Sequence, residues 1–373
     1  MARRVLMTAS TWSHLRHFHL PYLRRFQAEG WEVHAACGGE PEPLDGVDRY
    51  LPLPFEKRMA SPRNFRAASI LRKVIRQGDY SLIITHTALA AFFTRLAVLR
   101  MRERPAVVCV VHGYLFDDST PAAKRAVLVA AERLTAPVTD LLLTMNRWDC
   151  EFARRNRLGR RVEYIPGMGV DFQALESQQG DGEALRREYG IPEGAFVLLY
   201  PAEFSRRKNQ ETLLRALALL PERAVLVLAG SGRELGACKA LAEELGLSGR
   251  VFFPGQLVEM APWYRLADAA VTASRSEGLP FNVMEAMDMG LAVVASAVKG
   301  HTDLIVHNEN GLLYEYSDAE DCARQIRALM SSAELRRRLG GCAREQVQKY
   351  GLDTVFPQVW GMYLQEERAP VGV

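Results

Sequence analysis

The stretch AAVTASRSEGLPFNVMEAMDMG, residues 269–290, contains the pattern that decides the fold. It opens on a short apolar run typical of a buried strand, and it closes on residues whose apolar positions recur at helical spacing. Between them, Gly278 and Pro280 predict a tight, rigid loop. Because ligands bind beyond the carboxyl ends of parallel strands, this loop with Glu277, and the first helical turn with Glu285, are predicted to line a ligand site.

The same strand, loop and helix pattern recurs along the whole chain. Short apolar, β-branched runs alternate with longer amphipathic stretches, as in repeated βα units around parallel sheets. The predicted strands are residues 4–9, 31–36, 82–85, 106–111 and 141–145 in the first half, and 196–201, 224–230, 251–255, 269–274 and 292–296 in the second. The sequence therefore predicts an α/β protein with two doubly wound, Rossmann-like sheets in tandem.

Domain organisation follows from length and local composition. At 373 residues the chain exceeds the size of a typical single core. Residues 167–192 are rich in Gly, Gln, Glu and Asp, so they are the best linker candidate, and we place the boundary near residue 175. This predicts domains at 1–175 and 176–352, followed by a helix at about 353–368 that packs back on the first domain.

Composition points to an ordinary globular protein. Hydrophobic residues make up 48% and charged residues 24% of the chain. The apolar run after the basic N-terminus is too short for a signal peptide, and no apolar run is long enough to span a membrane. Six scattered cysteines, without a CxxC pair or a histidine at zinc-finger spacing, are interpreted as reduced thiols. We therefore expect a cytoplasmic protein.

Charge is distributed unevenly between the two halves. Residues 1–175 carry 26 Lys and Arg against 17 Asp and Glu, a net charge of +9, whereas residues 176–373 carry 21 against 27, a net charge of −6. A basic half favours an anionic partner, and the inner face of the cytoplasmic membrane suits it. A solvated charged surface is an equally good alternative. Nucleic acid is disfavoured, because no aromatic residues interleave with arginines in an RNA-binding pattern.

The loop at Glu277 indicates an anionic ligand. A helix that begins near Asn282 would direct its backbone N–H groups and its positive dipole end at the ligand, which makes a ready diphosphate site. For Glu285 an alternative stays open, because Asn282 as N-cap with a glutamate three residues later is also the capping-box arrangement. Glu277 has no such regular backbone partner, so its functional interpretation is favoured.

A second strand, loop and helix segment, PAEFSRRKNQETLLRAL at 201–217, carries three successive cations where the helix opens. They are Arg206, Arg207 and Lys208. Cations oppose the helix dipole at this end, so an anionic ligand explains them better than the helix does. A solvated run of charges is the alternative.

A histidine also follows a predicted strand directly. His112 comes after residues 106–111 and precedes Gly113, which allows close backbone approach. Its position at a strand end favours a place at the ligand edge, with a structural histidine as the alternative.

Signals for a cofactor or a metal are weak. The stretch AGSGREL, residues 229–235, has two of the three glycines of a dinucleotide fingerprint, but Leu235 stands in the third position. It serves equally well as a tight turn beneath a sugar nucleotide. No DxD pair occurs, so no obvious carboxylate pair could hold a divalent ion on a diphosphate, and we expect no metal.

Together these motifs resemble the retaining GT-B glycosyltransferases of family 4, whose signature is two glutamates separated by seven residues. Here the signature is EGLPFNVME, from Glu277 to Glu285. The resemblance covers nearly the whole chain. Its narrower form, to bacterial enzymes of capsule, exopolysaccharide or O-antigen assembly, rests on FHLPYL at 18–23, the HGYLF region after His112, YIPGMGVD ending at Asp171, the EFSRRKNQ segment and GHTDLI at 300–305.

The resemblance implies a GT-B architecture, in which two Rossmann-like domains face each other across a cleft. The first domain would bind the acceptor and the second the nucleotide-sugar donor, with the C-terminal helix closing the structure. It also implies catalytic roles for three residues. Glu277 would contact the transferred sugar, Lys208 would neutralise the diphosphate, and His112 would contact the sugar and order the reacting centre.

The other site residues are implied in the same way. Glu285 would bind the ribose hydroxyls, and many family members have an arginine where this chain has Glu203, so its cationic role passes to Arg206 or Arg207. Further donor contacts would come from Gly278, Leu279, Pro280, Phe281, Asn282, Val283 and Gly230, with Gly255, Gln256 and Leu257 around the base. Acceptor contacts would fall on Ser13, His14 and His19.

The implied reaction is metal-independent transfer of a sugar, with retention, from a nucleotide donor to a glycan. We expect an N-acetylhexosamine carried on UDP, a polyprenyl-diphosphate-linked acceptor and peripheral contact with the membrane. One alternative is a nucleotide-sugar epimerase of the same fold, a class that does not show this glutamate signature. A nicotinamide oxidoreductase would rest on residues 229–235 alone, and a non-enzymatic relative is disfavoured because Glu277, Glu285, Lys208 and His112 are all present.

Overall fold

The computed structural model describes residues 3–368, which form two compact units. The first unit extends to Met168 and includes the chain again from Val355 onward, and the second unit is Gly169–Thr354. Each unit contains one parallel sheet. The two sheets confirm the predicted α/β, Rossmann-like class.

The boundary lies a few residues before the predicted position near 175. The N–H of Val170 donates to the carbonyl of Tyr350 at 3.0 Å, and the N–H of Leu352 donates to the carbonyl of Val170 at 2.8 Å. These bonds attach the segment that follows Met168 to the end of the second unit.

The first unit is built on seven strands among the described residues. They are β1 (Arg4–Thr11), β2 (Glu32–Gly38), β3 (Arg49–Leu53), β4 (Leu82–His86), β5 (Ala106–Val111), β6 (Leu141–Thr144) and β7 (Arg161–Tyr164). The helices between them are α1 (Trp12–Phe18), α2 (Leu20–Ala28), α3 (Pro62–Gln77), α4 (Ala88–Val98), α5 (Ala122–Thr135) and α6 (Arg147–Asn156). The strand order is β3-β2-β1-β4-β5-β6-β7, so the order reverses between β1 and β4.

The second unit repeats this plan with six strands. They are β8 (Phe196–Pro201), β9 (Ala224–Ala229), β10 (Val251–Gly255), β11 (Ala269–Thr272), β12 (Val293–Ser296) and β13 (Leu312–Tyr314). The helices are α7 (Phe172–Ser177), α8 (Gly182–Glu188), α9 (Gln210–Ala218), α10 (Leu235–Glu244), α11 (Ala261–Leu266), α12 (Phe281–Asp288), α13 (His301–Leu304), α14 (Ala319–Ser331) and α15 (Ala333–Val347). The order β10-β9-β8-β11-β12-β13 reverses between β8 and β11.

All ten predicted strands are present, with ends shifted by up to two residues, but three edge strands escaped prediction. Central strands such as β5 and β9 are apolar because helices cover both faces of a parallel sheet. The edge strands β3 and β7 are partly exposed and carry polar residues, and β13 is three residues long. These three edge strands therefore lack the longer apolar run from which the other strands were predicted.

The predicted linker is instead an ordered part of the second unit. Residues 167–192 contain α7 and α8. The side-chain oxygen of Gln178 accepts hydrogen bonds from the backbone of Met260 and Ala261 at 2.8 and 2.9 Å, and Arg265 donates to the Gln178 carbonyl at 2.9 Å. Polar composition marks this stretch as surface, but these bonds fix its course.

A last helix, α16 (Leu352–Gln365), carries aromatic residues that pack on α2 of the first unit. The ring of Trp360 lies 4.4 Å from that of Phe26, and Tyr363 is fully buried beside it. Beyond the helix, Arg3 donates to Glu367 at 2.6 Å. Within residues 3–368, none of the helices combines the length and the apolarity needed to cross a bilayer.

Helix α15 approaches the turn after α12 closely because residue 340 is glycine. A Cβ atom built on Gly340 would overlap the carbonyl oxygen of Gly290, whereas a Cβ on the next residue, the exposed Gly341, meets nothing within 4 Å. We expect Gly340→Ala to lower the free energy of unfolding by about 1–3 kcal/mol, the usual cost of overpacking. Gly341→Ala should raise it by up to about 1 kcal/mol, since alanine is the better helix former. Urea unfolding measures both, and equal effects would contradict this packing.

Candidate functional site

The strand reversal of the second sheet brings two loops together at the carboxyl ends of β8 and β11. Such a switch point is the usual ligand site of an open α/β sheet. The loop after β8 carries Arg206, Arg207 and Lys208, and the loop after β11 carries Glu277. The structure joins two of these three cations to the glutamate.

Glu277 is held by a pair of cations. Nζ of Lys208 donates to its Oε1 at 2.6 Å, and Nη1 of Arg207 donates to its Oε2 at 2.8 Å. The glutamate is 8% exposed. Burial raises the pKa of Glu277, but the charges of Lys208 and Arg207 outweigh it and hold this pKa at about 2. At neutral pH the carboxylate is therefore ionised, with both oxygens engaged.

Arg206 stands apart from this cluster. Its side chain is 93% exposed, and its Nε lies 3.8 Å from Glu234. Arg207, in contrast, also donates to the carbonyl of Ser276 at 3.1 Å. Of the two arginines that the resemblance left open beside Glu203, Arg207 is thus the one that lies next to Lys208 at the carboxylate.

The backbone behind Glu277 is packed against Gly300. The N–H of Glu277 donates to the carbonyl of Lys299 at 3.2 Å. Gly300 has φ of +84°, and a Cβ there would lie 2.8 Å from Glu277, so another side chain would displace the glutamate. Next to it, buried His301 lies with Nδ1 2.9 Å from the Ser296 carbonyl, and burial lowers its pKa to about 4.

Sequence reasoning assigned no site role to Gly300 or His301. The GHTDLI segment at 300–305 contributed to the family resemblance, and it was the available signal.

Buried hydroxyl groups fix both loops beneath the ion pair. The hydroxyl of Tyr200 donates to the carbonyl of Lys208 at 3.0 Å and lies 2.9 Å from Oγ of Ser274. Oγ of Ser296 donates to the carbonyl of Ser274 at 2.7 Å. Because these contacts satisfy main-chain carbonyls of the loops, they restrict where Lys208 and Glu277 can move.

Glu285 faces a tyrosine instead of capping its helix. The hydroxyl of Tyr264 donates to Oε2 of Glu285 at 2.8 Å. Helix α12 begins at Phe281 with Pro280 as N-cap, and Nδ2 of Asn282 donates to the carbonyl of Pro201 at 3.0 Å. The capping-box alternative is therefore wrong, because Asn282 lies inside the first turn. Burial raises the pKa of Glu285.

The remaining predicted donor residues lie along the same edge of the sheet. The N–H of Gly230, after β9, donates to the carbonyl of Gly255, at the end of β10, at 2.7 Å. Gln256 is exposed and Leu257 half-buried. Gly278, Leu279, Pro280 and Val283 are buried, and Phe281 and Asn282 are half-buried. The strand order β10-β9-β8-β11 thus places the predicted contacts for base, diphosphate and sugar in a row.

The switch point of the first unit carries four histidines. His86 ends β4, His112 follows β5, His14 lies in α1 and His19 precedes α2. Nε2 of His14 lies 3.3 Å from Nε2 of His19, and Nε2 of His112 lies 3.3 Å from Nδ1 of His86. The rings of His19 and His86 stack with centroids 3.6 Å apart. Ser13, also predicted here, is exposed at the start of α1.

This histidine cluster, His14, His19, His86 and His112, is neutral at physiological pH. Burial lowers the pKa of His14 to about 4 and lowers those of the other three well below their ordinary value. Nδ1 of His19 and Nε2 of His86 are buried without a hydrogen-bond partner among the described residues. Unpartnered buried polar atoms are uncommon and call for an explanation.

Backbone strain lies next to the cluster. Thr87 has φ of +61°, which is rare for a β-branched residue. Its Oγ1 accepts from the N–H of Ser10 at 3.0 Å, so β1 holds the strained residue in place. Strain of this kind concentrates at functional sites. Sequence reasoning missed His86, because the predicted strand ended at residue 85 and the histidine had no motif of its own.

Two family models match the chain, one in each unit. The model described as Glycosyl transferases group 1 matches residues 181–346, and the model described as Glycosyl transferase 4-like domain matches residues 20–167.

Curated relatives and a solved structure extend the comparison. The chain is 33% identical to the putative glycosyltransferase EpsD of Bacillus subtilis over 356 residues, covering 94% of this chain and 93% of EpsD. It is 23% identical to the UDP-Gal:α-D-GlcNAc-diphosphoundecaprenol α-1,3-galactosyltransferase of Escherichia coli, covering 69% and 68%. The structure of Anabaena HepE in complex with UDP and glucose matches with a TM-score of 0.80 at 19% identity, covering 97% of this chain and all of HepE.

Proposed function

This chain belongs to the GT-B glycosyltransferases of family 4, and from that premise we propose that it transfers an N-acetylhexosamine from a UDP-sugar, with retention, to a polyprenyl-diphosphate-linked glycan. The observation that carries the proposal is Glu277 held between Lys208 and Arg207 at the switch point of the second sheet. The relatives reported above do not favour the epimerase alternative.

The donor would lie along the edge of the second sheet. Residues 255–257 would surround the base, Glu285 would accept from the ribose hydroxyls, and Glu277 would contact the transferred sugar. The binding of UDP and glucose by HepE, which shares the fold, supports a UDP-sugar as the donor class.

Two cations would neutralise the leaving diphosphate. Lys208 and Arg207 carry two positive charges against the one negative charge of Glu277, so the cluster has a net charge of +1 that attracts an anion. Positive charge placed at a developing anion is the largest single contribution to the rate enhancement of many enzymes. We propose that these side chains do this work without a divalent ion.

Retention would follow from departure and attack on the same face of the sugar. Glu277 is a poor general base, because its pKa of about 2 is far below neutral pH and both its oxygens are engaged. The diphosphate oxygen would therefore accept the proton of the acceptor hydroxyl as the bond to the sugar breaks.

The acceptor would belong to the first unit, whose switch point presents His14, His19 and His112. The E. coli relative acts on a diphosphoundecaprenol-linked sugar, which supports a lipid-linked acceptor and a role in surface polysaccharide assembly. We propose that the protein works in the cytoplasm, at the inner face of the membrane.

Helix α3 offers a surface for that membrane contact. It has no acidic residue, and Arg66, Lys73 and Arg76 are exposed at helical spacing, with Phe65 52% exposed nearby. We expect the protein to sediment with vesicles of anionic lipid but not of neutral lipid. Reversing the three charges to glutamate should abolish sedimentation, whereas Arg337→Glu on the exposed face of α15 should not. Salt-insensitive binding, or binding that survives the reversal, would contradict this surface.

A panel of nucleotide sugars tests the reaction itself. The purified protein is incubated with each sugar, with and without bacterial lipid extract, and released nucleoside diphosphate is measured in the presence of a chelator. We expect rapid release from a UDP-N-acetylhexosamine that depends on the lipid, and a product whose anomeric NMR coupling matches that of the donor. A C2-epimerised sugar formed without acceptor would support the epimerase instead. Release of nucleoside diphosphate from GDP-sugars alone would overturn the proposal that the donor is a UDP-sugar.

A further inference from the structure

We propose that His14, His19 and His112, at the switch point of the first unit, form a binding site for a divalent d-block cation of the Zn²⁺ type. Each of these histidines offers one ring nitrogen, and the three nitrogens lie within 4.8 Å of one another. Neutral imidazole is the preferred nitrogen ligand of such ions in proteins.

The spacing of the nitrogens suits a tetrahedral ion. Two nitrogens, each about 2.0–2.1 Å from a tetrahedral ion, lie about 3.3–3.4 Å apart. Nε2 of His14 and Nε2 of His19 are 3.3 Å apart, which is longer than most hydrogen bonds of a ring N–H. The other two edges, from His112 to His14 and from His112 to His19, are within 4.8 Å, and small movements of the half-buried rings of His14 and His112 would shorten them.

The chemistry of the three side chains suits such an ion. A histidine binds a metal through an unprotonated nitrogen. No carboxylate is needed for affinity, since three imidazoles with an open fourth position form a known type of zinc site.

Buried His86 restricts the movement of two of the proposed ligands, His19 and His112. Its ring stacks on His19, and its Nδ1 lies 3.3 Å from Nε2 of His112. Rings that are already held in place lose little entropy when an ion joins them.

The experiment uses untagged, full-length protein freed of metal with a chelator that is then removed. Titration with Co²⁺ should produce the strong visible absorption of a tetrahedral complex at one ion per chain, and Zn²⁺ should abolish it. His14→Ala and His19→Ala should each weaken Co²⁺ binding by more than about tenfold, since even an outer-shell partner is worth about 10–100-fold. His17→Ala, an exposed histidine of the same helix, is the matched control and should bind as the parent does.

Circular dichroism reports whether each variant is folded. Because His14 is half-buried, His14→Ala tests the site even where loss of buried His19 unfolds the chain. Weak absorption typical of six-coordinate Co²⁺, or His14→Ala with the parent's affinity, would overturn the site. These readouts do not depend on sugar transfer. One consequence does rest on the proposed function: Zn²⁺ should inhibit transfer, because the ion would occupy the proposed acceptor residues. Half-inhibition should occur at the Zn²⁺ concentration that half-displaces Co²⁺.

Discussion

Replacing Glu277 with glutamine is expected to lower kcat by about 10²–10³-fold, the loss found when one charge-stabilising group is removed from a reacting centre. The amide keeps the shape of the side chain but not its charge. Lys208 and Arg207 then lose the carboxylate that now binds them at 2.6 and 2.8 Å. A diphosphate no longer competes with Glu277 for these cations, so the affinity for UDP should stay the same or increase.

Two neighbouring arginines provide the matched comparison. Arg207→Ala should weaken UDP binding and slow transfer, because this guanidinium contacts Glu277. Arg206→Ala should leave both unchanged, because its side chain is 93% exposed. Steady-state kinetics gives kcat and KM, calorimetry gives the affinity for UDP, and a thermal melt shows whether each variant is folded. A Glu277→Gln enzyme with the parent's kcat would contradict the proposed contact of Glu277 with the transferred sugar.

The second large effect concerns stability of the first unit. Arg104 donates to both oxygens of Asp140, at 2.5 and 3.0 Å, and both side chains are under 9% exposed. Arg104→Met would leave the buried carboxylate of Asp140 with two weaker hydrogen-bond donors, Arg368 at 2.7 Å and the N–H of Val107 at 2.9 Å. We expect the free energy of unfolding to fall by about 3–5 kcal/mol, the usual cost of breaking a buried ion pair.

Arg160 is the control, because it approaches the same carboxylate from solvent. Its Nη1 lies 3.4 Å from Asp140, and its side chain is 63% exposed. Arg160→Met should change stability by less than about 0.5 kcal/mol. Denaturant unfolding of both variants checks the contrast, and comparable losses would show that burial does not govern this pair.

Acid provides a further check on Asp140. Burial raises the pKa of Asp140, but the hydrogen bonds and charge of Arg104 outweigh it, so this pKa is lowered. The ionised carboxylate therefore contributes stability above the ordinary pKa of about 3.9, and the contribution is lost as the pH falls through the lowered value. The difference between the parent and Arg104→Met should shrink below about pH 4, where the carboxyl of the variant is protonated. A difference that stays constant between pH 7 and pH 3 would contradict this.

Much of the fold was predictable from local pattern. Buried strands in parallel sheets are continuous apolar runs, so β5 and β9 are evident from composition alone. Strands that form only because a neighbouring strand pairs with them are not evident from composition. The strand β3, which has exposed residues and contains Pro52, is one of these. The segment at 167–192 was mistaken for a linker because its polar composition does not reveal the bonds of Gln178.

The sequence by itself determined which loops hold the candidate site residues, because strand ends and helix starts follow from the spacing of apolar residues. It placed Glu277, Lys208 and His112 at such ends. The tertiary structure decided their partners. Arg207 and not Arg206 meets Glu277, since the strand order sets β8 beside β11 and the loop turns one guanidinium inward.

The same holds for Asn282 and for the histidine cluster. Local spacing left a capping box open as an alternative, yet the side chain of Asn282 bonds to Pro201 of a neighbouring strand. His14 and His19, His86, and His112 come from three separate regions of the chain, and the pairing of β1, β4 and β5 brings these regions together. Periodicity is a property of consecutive residues, whereas a contact between side chains depends on which strands pair and on how each loop is packed.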